Sequence, residues 1–316
     1  MADVRLVGLA DLHRSSAERR KAEYQLDDAQ TGDDVPSMLK ELGPDVVFDC
    51  TVPEARLGVV EAALVHGCHV LSEKPMATSL EAARSLVATA QKAGKIFAVM
   101  QNRRYDGRIR ALRDFLRADE IGEVTTVNGD FYLGPHFGGF REQMQHVLLL
   151  DMAIHSFDQA RVLCGGDPVA VYCREWNPNG SWYGHGASAV AIFEMSGGAV
   201  YTYRGSWCAE GLNTSWECDW RISGTRGSIL WDGGDGVRAQ VVAGDQGFLR
   251  PMRDLVPHLP TGTQPSGHAA CIADFIRCLR EGRPPETICT DNIKSLAMVL
   301  GAIESAETGR RITLSS

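Results

Sequence analysis

The chain has no apolar run long enough to span a bilayer, no paired-cysteine motif and no extended basic stretch. The first absence argues against a membrane helix. Nine cysteines are scattered along the sequence, and the nearest two, Cys271 and Cys278, stand a helical distance apart. No Cys-x-x-Cys pair occurs, so neither a disulfide framework nor a metal site is read from spacing. Free thiols point to a reducing, cytoplasmic setting. The net charge is -8, and the clusters Arg19-Arg20-Lys21 and Arg103-Arg104 are too short for a nucleic-acid footprint. The opening Met1-Ala2-Asp3-Val4-Arg5 lacks the parts of a signal peptide. Aromatics make up only 7% of the residues, yet Trp176, Trp182, Tyr183, Trp207, Trp216, Trp220 and Trp231 gather in the second half. In an antiparallel sheet such residues more often build a core or a subunit interface than a binding site.

What is present is ordinary globular material. Hydrophobic residues are 44% and charged residues 23% of a chain of 316, enough for one large or two smaller domains. Val4 to Ala10 reads as a strand ending at Asp11, and Ser15 or Ser16 can cap a charged helix after it. Pro36 to Leu42 reads as a short helix, Asp45 to Thr51 as a buried strand, and Glu54 to His66 as a helix. A strand before Ser72, a helix from Ser79 and a strand from Ile96 to Met100 follow. This alternation predicts a parallel sheet covered by helices. Gly107 to Ala118 is a further helix. From Val124 strands dominate and predict a largely antiparallel sheet open on one face. A helix over His146 to Leu163 interrupts them, and two more close the chain. Residues 243–267, rich in glycine and proline, predict a long loop.

Two stretches carry chemistry. Ser72-Glu73-Lys74-Pro75-Met76 turns from a strand end into a loop, where open parallel sheets collect their ligands. A lysine there suits acid-base work, or it is a surface lysine beside Glu73. Asp151 and His155 stand four apart on a predicted helix and so share a face. They are a catalytic pair, or they tie down neighbouring loops. Asp158 extends the polar face by another turn.

Glu73-Lys74-Pro75, then Asn102-Arg103-Arg104-Tyr105, then Asp151-x-x-x-His155-x-x-Asp158, with Trp220-Arg221-Ile222-Ser223-Gly224 downstream, resemble the Gfo/Idh/MocA family over almost the whole chain. The resemblance implies a Rossmann-type doubly wound α/β domain over residues 1–105 and an α+β domain with a large open, mostly antiparallel sheet over residues 106–316. The C-terminal helix would be free to pack back on the first. It implies hydride transfer between NAD(P) and a sugar, inositol or related polyol hydroxyl. Lys74, Asp151 and His155 would be catalytic. Asp11 would hold the ribose hydroxyls of NAD, while Arg14 keeps NADP open. Thr51, Val52, Pro53, Glu73, Lys74, Asn102 and Arg103 would also border the cofactor. Arg104, Tyr105, His146 and Trp182 would join Lys74, Asp151 and His155 around the substrate, with Tyr183 beside Trp182. Assembly as a homodimer or homotetramer through the second sheet is implied, and no metal.

The sequence departs from that family in three places. No Gly-x-Gly-x-x-Gly turn precedes Asp11, although its glycines and helix amides are what cradle a pyrophosphate. In a doubly wound order the missing strand is the central one, next to the strands ending at Asp11 and Thr51. The expectation is a truncated form of a longer chain starting at Met1. The alternative is a natural form with weak cofactor binding, in the extreme a non-catalytic sugar-binding or assembly protein. Arg56 replaces a histidine common in the family, and Gln145-His146-Val147 stands where glycines are frequent.

Overall fold

A computed structural model of the chain describes residues 4–260 and 266–315. Met1 and part of the expected loop over residues 243–267 lie outside the described residues. The chain divides into two units, residues 1–100 with 275–290, and residues 101–274 with 291–316. The boundary therefore falls before Gln101 rather than after Tyr105. The late segment that joins the first unit begins inside the penultimate helix, not in the last one.

In the first unit, β1 (Gly8–Ala10) pairs in parallel with β2 (Gln30–Gly32), and α1 (Arg14–Glu23) connects them. β2 is the strand the sequence hid, since Gln-Thr-Gly offers no apolar alternation. α2 (Val35–Leu42) begins where the Asp34 carboxylate accepts the Ser37 amide at 3.3 Å, and it ends at Gly43 in the left-handed region, φ 52°. β3 (Val46–Asp49), α3 (Pro53–Val65), β4 (His69–Ser72), α4 (Leu80–Ala93) and β5 (Phe97–Val99) follow, and the three strands pair in parallel in the order β3-β4-β5. β5 is apolar throughout and wholly buried, as expected of a parallel strand with both faces covered. α4 packs Ala83, Leu86 and Ala90 inward, and Ser79 caps its start by accepting the Ala82 amide at 3.1 Å.

Two sheets are thus present where the doubly wound order has one. β1 and β3 each keep one edge without a strand partner among the described residues. Phe48 of β3 is 38% exposed and meets Phe275 edge-on at 6.2 Å. Leu6 and Leu12, flanking β1, are exposed as well.

The second unit opens with a 3-10 turn (Asn102–Tyr105) and α5 (Gly107–Arg117). β6 (Val124–Tyr132), α6 (Phe140–Gln143), a π-helical turn (Leu148–Ala153) and α7 (Ile154–Cys164) come next. Then follow β7 (Pro168–Trp176), β8 (Ser188–Met195), β9 (Val200–Ser206), β10 (Asp219–Gly224), β11 (Gly227–Trp231), β12 (Val237–Val242) and β13 (Met252–Leu255). α8 (Gly267–Glu281), whose later part belongs to the first unit, α9 (Cys289–Thr308) and β14 (Ile312–Thr313) close the chain. The sheet runs β13-β12-β11-β10-β6-β9-β8-β7-β14, antiparallel throughout except for the parallel pair β6–β9. Its strands alternate: in β8, Ala191 and Phe193 point inward while Val190 and Ile192 face out. The inner face carries the core, where Phe157 of α7 meets Phe193 edge-on at 4.8 Å and Tyr203 at 5.2 Å. Gly129 of β6 is fixed by packing, because a Cβ there would lie 3.1 Å from the Trp220 ring.

Candidate active site

In the first unit the organising group is Arg56, the residue that replaces the expected histidine. It is 1% exposed on α3, and its Nε donates to Asp49 Oδ2 at 3.0 Å. Its two terminal nitrogens donate to the carbonyls of Pro75 and Thr51. Asp49, at the end of β3, also accepts the Ser72 hydroxyl at 2.6 Å, the Thr51 hydroxyl at 2.6 Å and the Thr51 amide at 3.0 Å. A buried ion pair needs its remaining donors and acceptors satisfied, and these contacts satisfy them. The result ties together the ends of β3 and β4 and the turn that follows. Lys74 stands in that turn, half-buried, before a cis Lys74-Pro75 bond. Glu73 continues the β3–β4 ladder through its amide, 2.8 Å from Asp49 O, and its carboxylate accepts the Lys74 amide at 3.2 Å.

The expected cofactor residues of this unit lie at strand ends. Asp11 follows β1, exposed, with Oδ1 accepting the His13 amide at 2.9 Å. Arg14 opens α1 and pairs with Glu18 at 3.1 Å. Thr51 follows β3, Val52 precedes α3 and Pro53 is its first residue. Val52 is exposed and offers no side-chain cap; Pro53 has no amide hydrogen, and the Ala55 amide donates to Val52 O at 3.1 Å. A dinucleotide fits this set in part. The strand-end acid is present, whereas no glycine-rich turn for a pyrophosphate occurs among the described residues.

In the second unit His155 is 8% exposed on α7. The Gln101 amide nitrogen lies 3.4 Å from its Nδ1 and donates to Ile154 O at 3.3 Å. Gln101 in turn accepts from Asn292 of α9 at 3.4 Å. Asp151 lies not on an α-helix but in the π-helical turn, so the simple four-residue face does not run through it. Such turns often mark functional sites. Asp151 is paired with Arg141 of α6, whose Nε donates to Oδ2 at 2.8 Å. The Arg141 guanidinium also lies over the rings of Phe137 and Phe140, at 5.1 and 5.0 Å.

Several expected contacts have other tasks in the structure. Arg104 is 6% exposed and binds Asp158 through Nε at 2.7 Å and Asp291 through Nη1 at 3.0 Å. Arg161 joins the same group, 2.7 Å from Asp291, and Ser295 donates to Asp158 at 2.6 Å. Burial would lower the pKa of Arg104, but the two carboxylates outweigh it and raise it. The Tyr105 hydroxyl is buried on Asp274 at 3.0 Å. Arg104 and Tyr105, expected at the substrate, are thus turned into the protein interior. His146 faces Glu175 and Glu307. Trp182 stacks on His136 at 3.8 Å and donates to Pro135 O at 3.1 Å; Tyr183 donates to the same carbonyl at 2.8 Å. Asn102 meets His268 at 3.3 Å.

Arg103 donates to Trp216 O and lies 3.6 Å from Glu217, which accepts from Gln159 at 2.5 Å. Gln159 is one turn beyond His155 on α7, so Glu217 borders the same stripe. Burial pushes the Glu217 carboxyl up, against the pull of Arg103 and of the Gln159 hydrogen bond. Gln101, Arg141 and Glu217 carried no motif in the sequence. Only the position of Gln101 beside Asn102-Arg103-Arg104-Tyr105 could have drawn notice to it.

One unit holds parallel βα elements with a lysine anchored at a strand end, and the other holds a large sheet with an Asp/His segment; both are features of nucleotide-dependent oxidoreductases. Residues 1–101 match the oxidoreductase family with an NAD-binding Rossmann fold, and residues 109–230 match the GFO/IDH/MocA C-terminal domain. The chain belongs to the Gfo/Idh/MocA oxidoreductase family, and its cofactor is NAD. It is 26% identical to a 1,5-anhydro-D-fructose reductase of Ensifer adhaerens, over 94% of this chain and 88% of the relative. It is 24% identical to an inositol 2-dehydrogenase of Rhizobium meliloti, over 99% of this chain and 92% of the relative. An oxidoreductase from Agrobacterium radiobacter, solved with NAD+, L-tartaric acid and magnesium, shares the fold at a TM-score of 0.83 and 23% identity. That match covers 97% of this chain and 90% of the other.

Proposed function

We propose that the protein oxidises or forms a hydroxyl of a sugar, inositol or related polyol, with Lys74, Asp151 and His155 carrying the proton chemistry. The observation that carries this is Lys74 held at the carboxyl end of a parallel strand by the buried Arg56–Asp49 pair. Bound NAD would supply the hydride acceptor. Lys74 would hydrogen-bond the reacting oxygen and stabilise its developing negative charge. His155, steadied by Gln101, would exchange the hydroxyl proton near neutral pH, and Asp151 would balance the charge. The sugar and cyclitol names of the two relatives support this substrate class. Cytoplasmic residence belongs to the same reading.

We further propose that this chain holds the dinucleotide weakly, since no glycine-rich turn for its pyrophosphate occurs among the described residues. Placing β2-β1 and β3-β4-β5 in the doubly wound order leaves the central position open, with a free edge on either side. Titration of the purified chain with NAD and NADP, followed by calorimetry, tests both proposals. The expected result is weak or absent binding by residues 1–316. Saturable micromolar binding would show that the cofactor is held without a glycine-rich turn and overturn the second proposal. Sugars, inositols and polyols are then screened for NAD reduction at the highest attainable cofactor concentration. Sugar binding without turnover would replace the enzyme reading with that of a binding protein.

The outer face of the second sheet favours assembly as a homodimer or homotetramer. Tyr172 and Ile192 are direct cross-strand neighbours there and are 48% and 45% exposed. An open groove of about 550 Å³ runs beside Arg221, Leu230, Arg238 and Asp254 on the same sheet. Ile192→Lys is expected to shift the light-scattering mass toward the monomer; an unchanged mass would refute assembly through this face.

A further inference from the structure

His146 adopts a left-handed backbone, φ 51°, two residues before the π-helical turn that carries Asp151 and leads into α7 with His155. Glycine would take up that conformation without steric cost, whereas a side chain is disfavoured there. The imidazole makes two contacts that glycine cannot. Its Nδ1 lies 2.5 Å from Glu175 Oε2 on β7, and its Nε2 lies 3.4 Å from Glu307 Oε1 on α9. The backbone at the same residue is part of the turn, since His146 O accepts the Leu150 amide at 2.9 Å.

Glu175 is built into this place. Its side chain is largely buried, and its second oxygen has no hydrogen-bond partner in the structure. Gly186 leaves the room for it, because a Cβ at that position would fall 2.5 Å from the Glu175 carboxyl carbon. A buried carboxylate needs a cation or a donor, and His146 is the group supplied. Its own segment also brings Glu142 and Asp151. Glu142 accepts the Gly138 amide at 3.0 Å, and Asp151 is paired with Arg141.

We propose that His146 is a positioning residue: as an imidazolium bridging Glu175 and Glu307, it pins the start of the π-helical turn and so sets where Asp151 and His155 stand. This replaces the expectation that His146 touches substrate. The Glu175 hydrogen bond raises the His146 pKa above its ordinary value, against the opposing effect of burial. A raised folded-state pKa has a fixed sign. The stabilisation is full below the unfolded value of about 6.5 and is lost as pH rises through the folded value.

The test compares the wild type with His146→Gly and Glu175→Gln in thermal unfolding between about pH 6 and about pH 9, the range that spans imidazole titration. At the acid end His146→Gly is expected to melt about 2–4 °C lower, although its backbone is relieved. At the alkaline end the gap should close or reverse. A gap independent of pH, or a glycine variant more stable at both ends, would overturn the clamp. The imidazole resonance missing from the His146→Gly spectrum should titrate above the ordinary histidine value in the wild type and fall in Glu175→Gln. Titration at or below the ordinary value would overturn it as well. The kinetic arm alone rests on the function proposed above. A fall in kcat toward alkaline pH is expected in the wild type and should be absent in His146→Gly; the same fall in both would overturn the positioning role. Should no polyol be turned over, the melting and resonance measurements still decide the clamp, while the proposed function fails separately.

Discussion

His155→Ala is expected to lower kcat by about 10²–10⁴-fold, the usual contribution of a positioned acid-base group. NAD affinity should stay unchanged, because the residue lies in the second unit and the strand ends proposed to hold the dinucleotide lie in the first. The substitution also removes one of the two partners of the Gln101 amide nitrogen, so a small loss of stability accompanies it. His155→Gln separates the two effects, since its amide can still meet Gln101 but cannot exchange a proton at neutral pH. Both variants should be inactive, with the glutamine variant closer to wild type in melting temperature. The measurement is steady-state kinetics with the best polyol from the screen, at the highest attainable cofactor concentration. Near-normal turnover in either variant would remove His155 from the chemistry.

Arg56→Leu is expected to destabilise the first unit by about 3–5 kcal/mol, the range for breaking one partner of a buried ion pair. The cause is Asp49, which is 2% exposed and would keep its charge without the guanidinium. Adding Asp49→Asn removes that charge while keeping one oxygen for the Thr51 hydroxyl and amide, and the Ser72 hydroxyl can still donate to Glu73 O, so part of the stability should return. Turnover should not return with it. The carbonyl of Pro75 would still lack its donor, and the Lys74 turn its anchor. Unfolding and activity measured on the two variants therefore come apart. A double variant that regains both would show that Arg56 serves only the charge balance of Asp49.

The strand-helix alternation of the first unit was legible because its buried strands and capped helices follow separate periodicities. Val70 and Leu71, or Ala83 and Leu86, announce their elements. β2 was not legible, because its pairing rests on backbone hydrogen bonds and its side chains carry no pattern. The motif residues Lys74, Asp151 and His155 stood out by type and spacing, but their partners did not. Arg56 stood out only as a departure from the family's histidine, and its burial on Asp49 was not visible in the sequence. Arg104 and Tyr105 read as ligand contacts, since a sequence cannot show that Asp158, Asp274 and Asp291 converge on them. The π-helical turn was equally hidden, as its apolar run suits an α-helix as well.

The free edges of β1 and β3 also govern how this chain behaves in the test tube. Among the described residues neither edge has a strand partner for its amides and carbonyls, and nearby Leu6 and Phe48 add exposed apolar surface. A second molecule can satisfy such an edge as readily as a strand of the same chain. Losses on storage will therefore rise with concentration rather than with time alone, and dilution will do more than cooling to preserve the protein.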